Sequence, residues 1–160
     1  MKTIALIVIA LMIIACTCSA TLIDLDAYIL NTGSVYADPD VAFASRNETT
    51  GDYIAIVTFG KDSSAASIFL YEYANNTGLN ASNFTKEEGF NPVKKPYPGY
   101  MKTNNTTDQV AYFGMVTDKL EIVVIVDSYQ QAINVLKEIA IISRKDYQES
   151  KSKELVDSLN

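Results

Sequence analysis

Five short runs between residues 41 and 126 carry the apolar, β-branched and aromatic character of strands: VAFASR at Val41–Arg46, YIAIVTF at Tyr53–Phe59, ASIFLYEY at Ala66–Tyr73, QVAYFGMV at Gln109–Val116 and LEIVVIV at Leu120–Val126. Turn-forming residues separate them, so Tyr53–Tyr73 reads as one hairpin and Gln109–Val126, around Thr117-Asp118-Lys119, as a second. LEIVVIV is apolar on both faces apart from Glu121, which predicts a central strand covered on two sides.

The period then changes. Asp127-Ser128 begins a helix, with Ser128 and Gln131 at capping-box spacing. Tyr129, Ala132, Ile133, Leu136, Ile139 and Ala140 recur every three or four residues and build one broad apolar face, widened by Val135 and Ile142. Arg144 to Asn160 is polar and reads as a marginal helix or frayed tail, with Glu149 and Lys153 spaced to pair. Thr21–Tyr36 reads as a tether followed by a weak strand or turn region, with Asn31-Thr32-Gly33-Ser34 as the breaker. Residues 75–107, rich in Pro, Gly and Asn, read as an irregular insertion. These elements predict an α+β fold: an antiparallel β-sheet of about 4–6 strands with a C-terminal helix packed on it, preceded by an N-terminal hydrophobic signal or anchor helix. The expected organisation is 1–20 signal peptide or anchor, 21–35 tether, 36–143 extracellular domain and 144–160 tail.

The first segment changes the picture most. Lys2 precedes Ile4–Ala15, a 12-residue run of Ile, Ala, Leu, Val and Met, and small residues follow it. That order is the pattern of an export signal. Three fates stay open. Ile13-Ile14-Ala15-Cys16 resembles a lipobox, with Cys16 the lipidation candidate. Cys18-Ser19-Ala20 suits cleavage before Thr21. Ile4–Ile23 is 20 uncharged residues, about 30 Å as a helix, enough to span a bilayer. All three put the domain on the outer face of the cytoplasmic membrane or in the medium, and make the membrane the first partner, through the segment or a lipid.

Composition narrows the chemistry. The 160 residues include no His and no Trp, and both Cys lie in the leader, which excludes His-based nucleophilic catalysis, zinc sites of Cys and His, and a disulfide framework. A net charge of −6 argues against nucleic acid as a partner. Asp24-x-Asp26 and Asp38-Pro39-Asp40 are too few oxygens for a calcium site, so neither a metal nor a cofactor is expected. No nucleophile-elbow, phosphate-loop or zinc-protease motif supports an enzyme.

Two kinds of candidate site remain. Asn-x-Ser/Thr occurs at Asn47, Asn75, Asn80, Asn83, Asn104 and Asn105, where roughly two would arise by chance, so these are glycosylation candidates. The competing reading is that Asn, Ser and Thr are turn formers that cluster in loops. Tyr97, Tyr100 and Tyr112, with Phe113 and Lys94, Lys95 and Lys102 nearby, form a candidate aromatic and basic surface for carbohydrate or a surface protein, although adjacent strand residues such as Tyr112 and Phe113 face opposite sides.

The hairpin Tyr53–Tyr73 and the ending AYFGMVTDKLEIVVIVDSYQQAINVLKEI, Ala111–Ile139, resemble the PsbP/Mog1-type α/β fold of small secreted archaeal proteins and lipoproteins. The resemblance covers roughly 100 residues and rests on pattern. It implies a helix lying on an antiparallel sheet and a binding or accessory role. The expected function is an exported, non-catalytic surface binding protein. An extracellular carboxylate-dependent enzyme acting on surface polysaccharide and a structural envelope glycoprotein are the alternatives.

Overall fold

The computed structural model describes residues 21–33, 36, 39–60, 66–75 and 90–158. Among these residues ten strands and two helices follow one another: β1 Leu22–Leu25, β2 Tyr28–Asn31, β3 Val41–Arg46, β4 Tyr53–Phe59, β5 Ala66–Glu72, β6 Phe90–Val93, β7 Gly99–Thr103, β8 Val110–Met115, β9 Leu120–Val126, α1 Tyr129–Glu138, β10 Ala140–Ser143 and α2 Arg144–Ser158. Seven strands form one antiparallel sheet in the order β3-β4-β5-β9-β8-β7-β6, and β1-β2-β10 form a second. The α+β, antiparallel reading therefore holds at that level. The strand number exceeds the expected range because short strands at the chain's start and middle join sheets that local pattern does not announce. Among the described residues no helix is long and apolar enough to cross a membrane. The expected leader helix and Cys16 lie outside the described residues.

Alternation decides what each strand buries. Val57, Ile68, Val124, Tyr112 and Met101 lie opposite one another across five strands, and all are buried. Helix α1 closes over β8 and β9 with Ala132, Val135 and Leu136, while Ile23, Leu25 and Leu30 of the small sheet join the same core. The Tyr53 hydroxyl donates to the Leu25 carbonyl and its ring meets Tyr28 at 5.5 Å, tying the two sheets together.

Two glycines shape the middle of this inner face. Gly99 and Gly114 are register partners on β7 and β8. A Cβ on Gly99 would stand 1.9 Å from the Phe113 carbonyl oxygen, so the two backbones can approach only without it. A Cβ on Gly114 would stand 2.2 Å from the Tyr112 hydroxyl: the tyrosine ring lies over the glycine two residues on and fills the space it leaves.

Several expectations are corrected. Residues 21–33 are not a tether: the Thr21 amide donates to the Gly33 carbonyl at 3.0 Å, and β1 and β2 form a hairpin beginning one residue later. Part of the supposed insertion is the β6–β7 hairpin. The helix stops at Glu138, because Ile139 turns extended and Ala140–Ser143 pair with β2 instead. The tail is a helix of 15 residues, α2. In it Glu149 pairs with Lys145 at 3.8 Å rather than with Lys153. Its first residue fixes it: the Arg144 amide donates to the Ala27 carbonyl at 2.9 Å, and its guanidinium reaches the Asp24 carboxylate and the Asp26 carbonyl. The Asp24-x-Asp26 pair thus serves a β-turn and a helix start.

The cap on α1 is confirmed with one change. Ser128 has an extended backbone and its hydroxyl accepts from the Gln131 amide at 3.3 Å, while the Gln131 side-chain oxygen reaches back to the Asp127 amide at 3.1 Å rather than to the amide of Ser128 itself. Ser128→Ala is expected to cost about 0.5–2 kcal/mol, read as a lower urea midpoint with an unchanged slope.

Candidate functional site: the outer face of the large sheet

The opposite face of the seven-stranded sheet is also apolar. One row crosses every strand, Phe43–Ile56–Phe69–Val123–Phe113–Tyr100–Pro92. β9 is the central strand, as its composition implied, but Val123 and Ile125 on this side are only half-buried. Among the described residues, helix α1 and the small sheet pack on the inner face, and the expected cover on the outer one is not seen. Phe43 is 52% exposed and Ile54 37%.

At one corner this face sinks into a depression of about 460 Å³ formed by Phe90, Phe113, Ala111 and Ile125, with Lys102 and the β7–β8 turn at its rim. The Phe90 and Phe113 rings stand 6.4 Å apart and tilted, and the Lys102 ammonium lies 4.7 Å from the centre of the Phe90 ring. Asn104, Asn105 and Gln109 border it with side-chain amides, and among the described residues its lining contains no carboxylate. Among the described residues no group of three or more His, Cys, Asp or Glu side chains is placed to hold a metal ion.

Of the aromatic and basic surface read from sequence, Phe113 and Lys102 reach this depression, and the three tyrosines do not. Tyr112 has 0% exposure: its ring belongs to the core and its hydroxyl donates to the Tyr97 carbonyl at 2.6 Å. Tyr97 is half-buried, and its hydroxyl oxygen accepts from the Ile141 amide at 2.8 Å, bridging the β6–β7 turn to β10. Burial pushes its phenol up, partly offset by that bond. Tyr100 lies on the outer face but is 6% exposed, between Phe113 and Pro92 in register. The aromatic rings and cation that do line this depression are Phe90, Phe113 and Lys102. Phe90 was missed because FNPV, with its proline, reads as loop; pairing with β7 makes it a strand.

The glycosylation candidates divide by position. Asn80 and Asn83 lie outside the described residues, and Asn75 is exposed just after β5. Asn47 and Asn104 open two hairpin turns built alike. The Asn47 amide donates to Asp52 at 2.8 Å and its side-chain oxygen accepts from the Thr49 and Thr50 amides. The Asn104 amide donates to Gln109 at 2.7 Å and its side chain accepts from the Thr106 amide. Each turn closes through a residue of positive φ, Gly51 at 79° and Asp108 at 58°. The signal was in the sequence as a repeat, NETTG and NNTTD. The acceptor motif and the turn chemistry are the same residues here, and Asn47, Asn104 and Asn105 are all exposed.

Compared with known proteins, the chain matches no protein-family model, no curated protein and no solved structure.

Proposed function

We propose that this protein is an exported surface binding module, held at the outer face of the membrane or released from it, that takes a saccharide chain on the corner of its outer sheet face. The observation carrying this reading is the depression floored by Phe90 and Phe113 and rimmed by Lys102 and side-chain amides. Flat apolar rings suit the C–H faces of sugars, amides suit their hydroxyls, and an ammonium favours a carboxylate-bearing sugar over a neutral one. Among the described residues the lining is aromatic, amide and ammonium in character, a surface suited to holding a sugar chain, and this favours binding as the role proposed. The PsbP/Mog1-type likeness, drawn from the hairpin and helix pattern, belongs to the same proposal. So do the lipid on Cys16 and glycans on the acceptor asparagines other than Asn104 and Asn105, whose amides border the depression.

The test is calorimetric titration of the full-length chain with uronic-acid-containing and neutral oligosaccharides. Phe113→Ala is expected to weaken binding about tenfold or more, as loss of a buried aromatic contact does. Lys102→Ala is expected to abolish the preference for the acidic sugar. Equal binding by both variants, with unchanged thermal melting, overturns the site. Intact mass of the native product reads the leader separately: a diacyl increment on a chain starting at Cys16, or a chain starting at Thr21.

A further inference from the structure

The two edges of the large sheet are guarded differently. β6 is four residues long and contains Pro92, which has no amide to offer a further strand. β3 is six residues long, VAFASR, without proline, lysine or glycine, and every residue but Ala44 is exposed. Among the described residues β4 is the strand paired with it, in an unbroken register of six. The Asn47–Asp52 bond fixes the alternation: Ser45 and Phe43 turn their backbone groups to β4, while Ala42, Ala44 and Arg46 turn theirs outward. A bare, regular edge of this kind is a template for another extended strand.

We propose that the free edge of β3 pairs antiparallel with β3 of a second copy of this chain, about a two-fold axis at Phe43. The strand is complementary to itself in that register. Ala42 of each copy faces Ala44 of the other as hydrogen-bonded pairs, both outward-directed, as the ladder requires. Phe43, on the outer face, meets Phe43 of the second copy in a non-hydrogen-bonded pair, where side chains approach closest and aromatic pairs contribute most. Arg46 of each copy comes beside Asp40 at the entry to the other's β3, where the Asp40 amide is held by the Thr58 carbonyl at 2.9 Å, and so extends the existing ion pair of Arg46 with Glu72 at 2.8 Å. Slipping the register either way separates these charges. The pairing also makes the apolar rows of the two outer faces continuous through Phe43, removing from water the most exposed aromatic side chain at the edge.

Site-directed thiol cross-linking of the full-length chain in mild detergent tests the register, with peptide mapping to set aside Cys16 and Cys18. Phe43→Cys is expected to give a covalent dimer through the introduced thiols, because facing residues of such a pair lie within disulfide reach. Val41→Cys alone is expected not to, since Val41 faces Ser45; mixing Val41→Cys with Ser45→Cys is expected to restore the cross-link. Sedimentation velocity gives the second reading. The wild-type chain is expected to sediment as a dimer and Phe43→Lys as a monomer with unchanged melting. A monomeric wild type, or equal cross-linking from Phe43→Cys and Val41→Cys, overturns the proposal.

Discussion

Raised from pH 10 toward pH 12, the protein is expected to unfold cooperatively, its buried tyrosines ionising only as it does so. Burial is the leading cause at each of them. It pushes Tyr28 up to about 12, with the Glu72 carboxylate adding to it and Arg46 opposing. It pushes Tyr73 up to about 12, helped by Glu121, which accepts from the Tyr73 hydroxyl at 3.1 Å. Tyr53 and Tyr112, at 1% and 0% exposure, are pushed up further still. A phenol raised in the fold keeps its proton where the unfolded chain, titrating near 10, releases it. Stability is therefore fully present below pH 10 and falls as pH rises toward the folded values. Each fully buried phenol removes about 1.4 kcal/mol per pH unit in that window, so Tyr53 and Tyr112 alone cost about 5 kcal/mol by pH 12. That is comparable to the whole stability of a typical domain, roughly 5–15 kcal/mol. Tyrosinate absorbance and far-ultraviolet dichroism followed together are expected to show a shared, steep transition. Ionisation of all ten tyrosines near pH 10 with the dichroism intact would contradict the core described here.

The second large effect is expected at Tyr112. Its ring packs on the inner face between β7 and β9, over Gly114, and its hydroxyl holds the Tyr97 carbonyl. Tyr112→Ala removes a full aromatic side chain from a site with backbone on one side and is expected to cost about 3–5 kcal/mol. Tyr112→Phe keeps the ring and leaves the Tyr97 carbonyl without its donor, at about 1–3 kcal/mol. Urea unfolding measures both. Any Tyr112→Phe protein that remains folded is expected to bind saccharide as the wild type does, because Tyr112 and Phe113 face opposite sides of β8. A loss of binding without a loss of stability would return Tyr112 to the ligand surface.

The long, strongly patterned elements were legible. VAFASR, YIAIVTF and LEIVVIV have the bounds of β3, β4 and β9, because alternation and β-branched residues act within one strand's length. Ser128 announced α1 for the same local reason. The misses share a different cause. β1, β2, β6 and β10 are four residues each, too short to show a period; β1 and β6 become strands by closing hairpins with β2 and β7, and β10 by pairing with β2 far back along the chain. Ala140 and Ile142 continued the helical spacing of α1, yet the run AIIS with its two β-branched residues suits a strand equally, and β2 was available to pair with it.

The candidate site was half legible for a related reason. Phe113 and Lys102 were visible as an aromatic and a cation in neighbouring segments, but sequence could not say which face of a strand is covered. Period two states only that Tyr112 and Phe113 differ, and the packing of α1 and the small sheet assigned Tyr112 to the interior.

By itself, the sequence determined the strongest elements, two central hairpins and a capped helix, in a chain without histidine. These follow from composition and from interactions within a few residues. Only the tertiary structure decided that seven strands share one sheet and that, among the described residues, one of its two apolar faces lies open and β3 is a bare edge. Burial and pairing are relations between distant residues, and each strand's pattern is compatible with several partners until the packed core selects one.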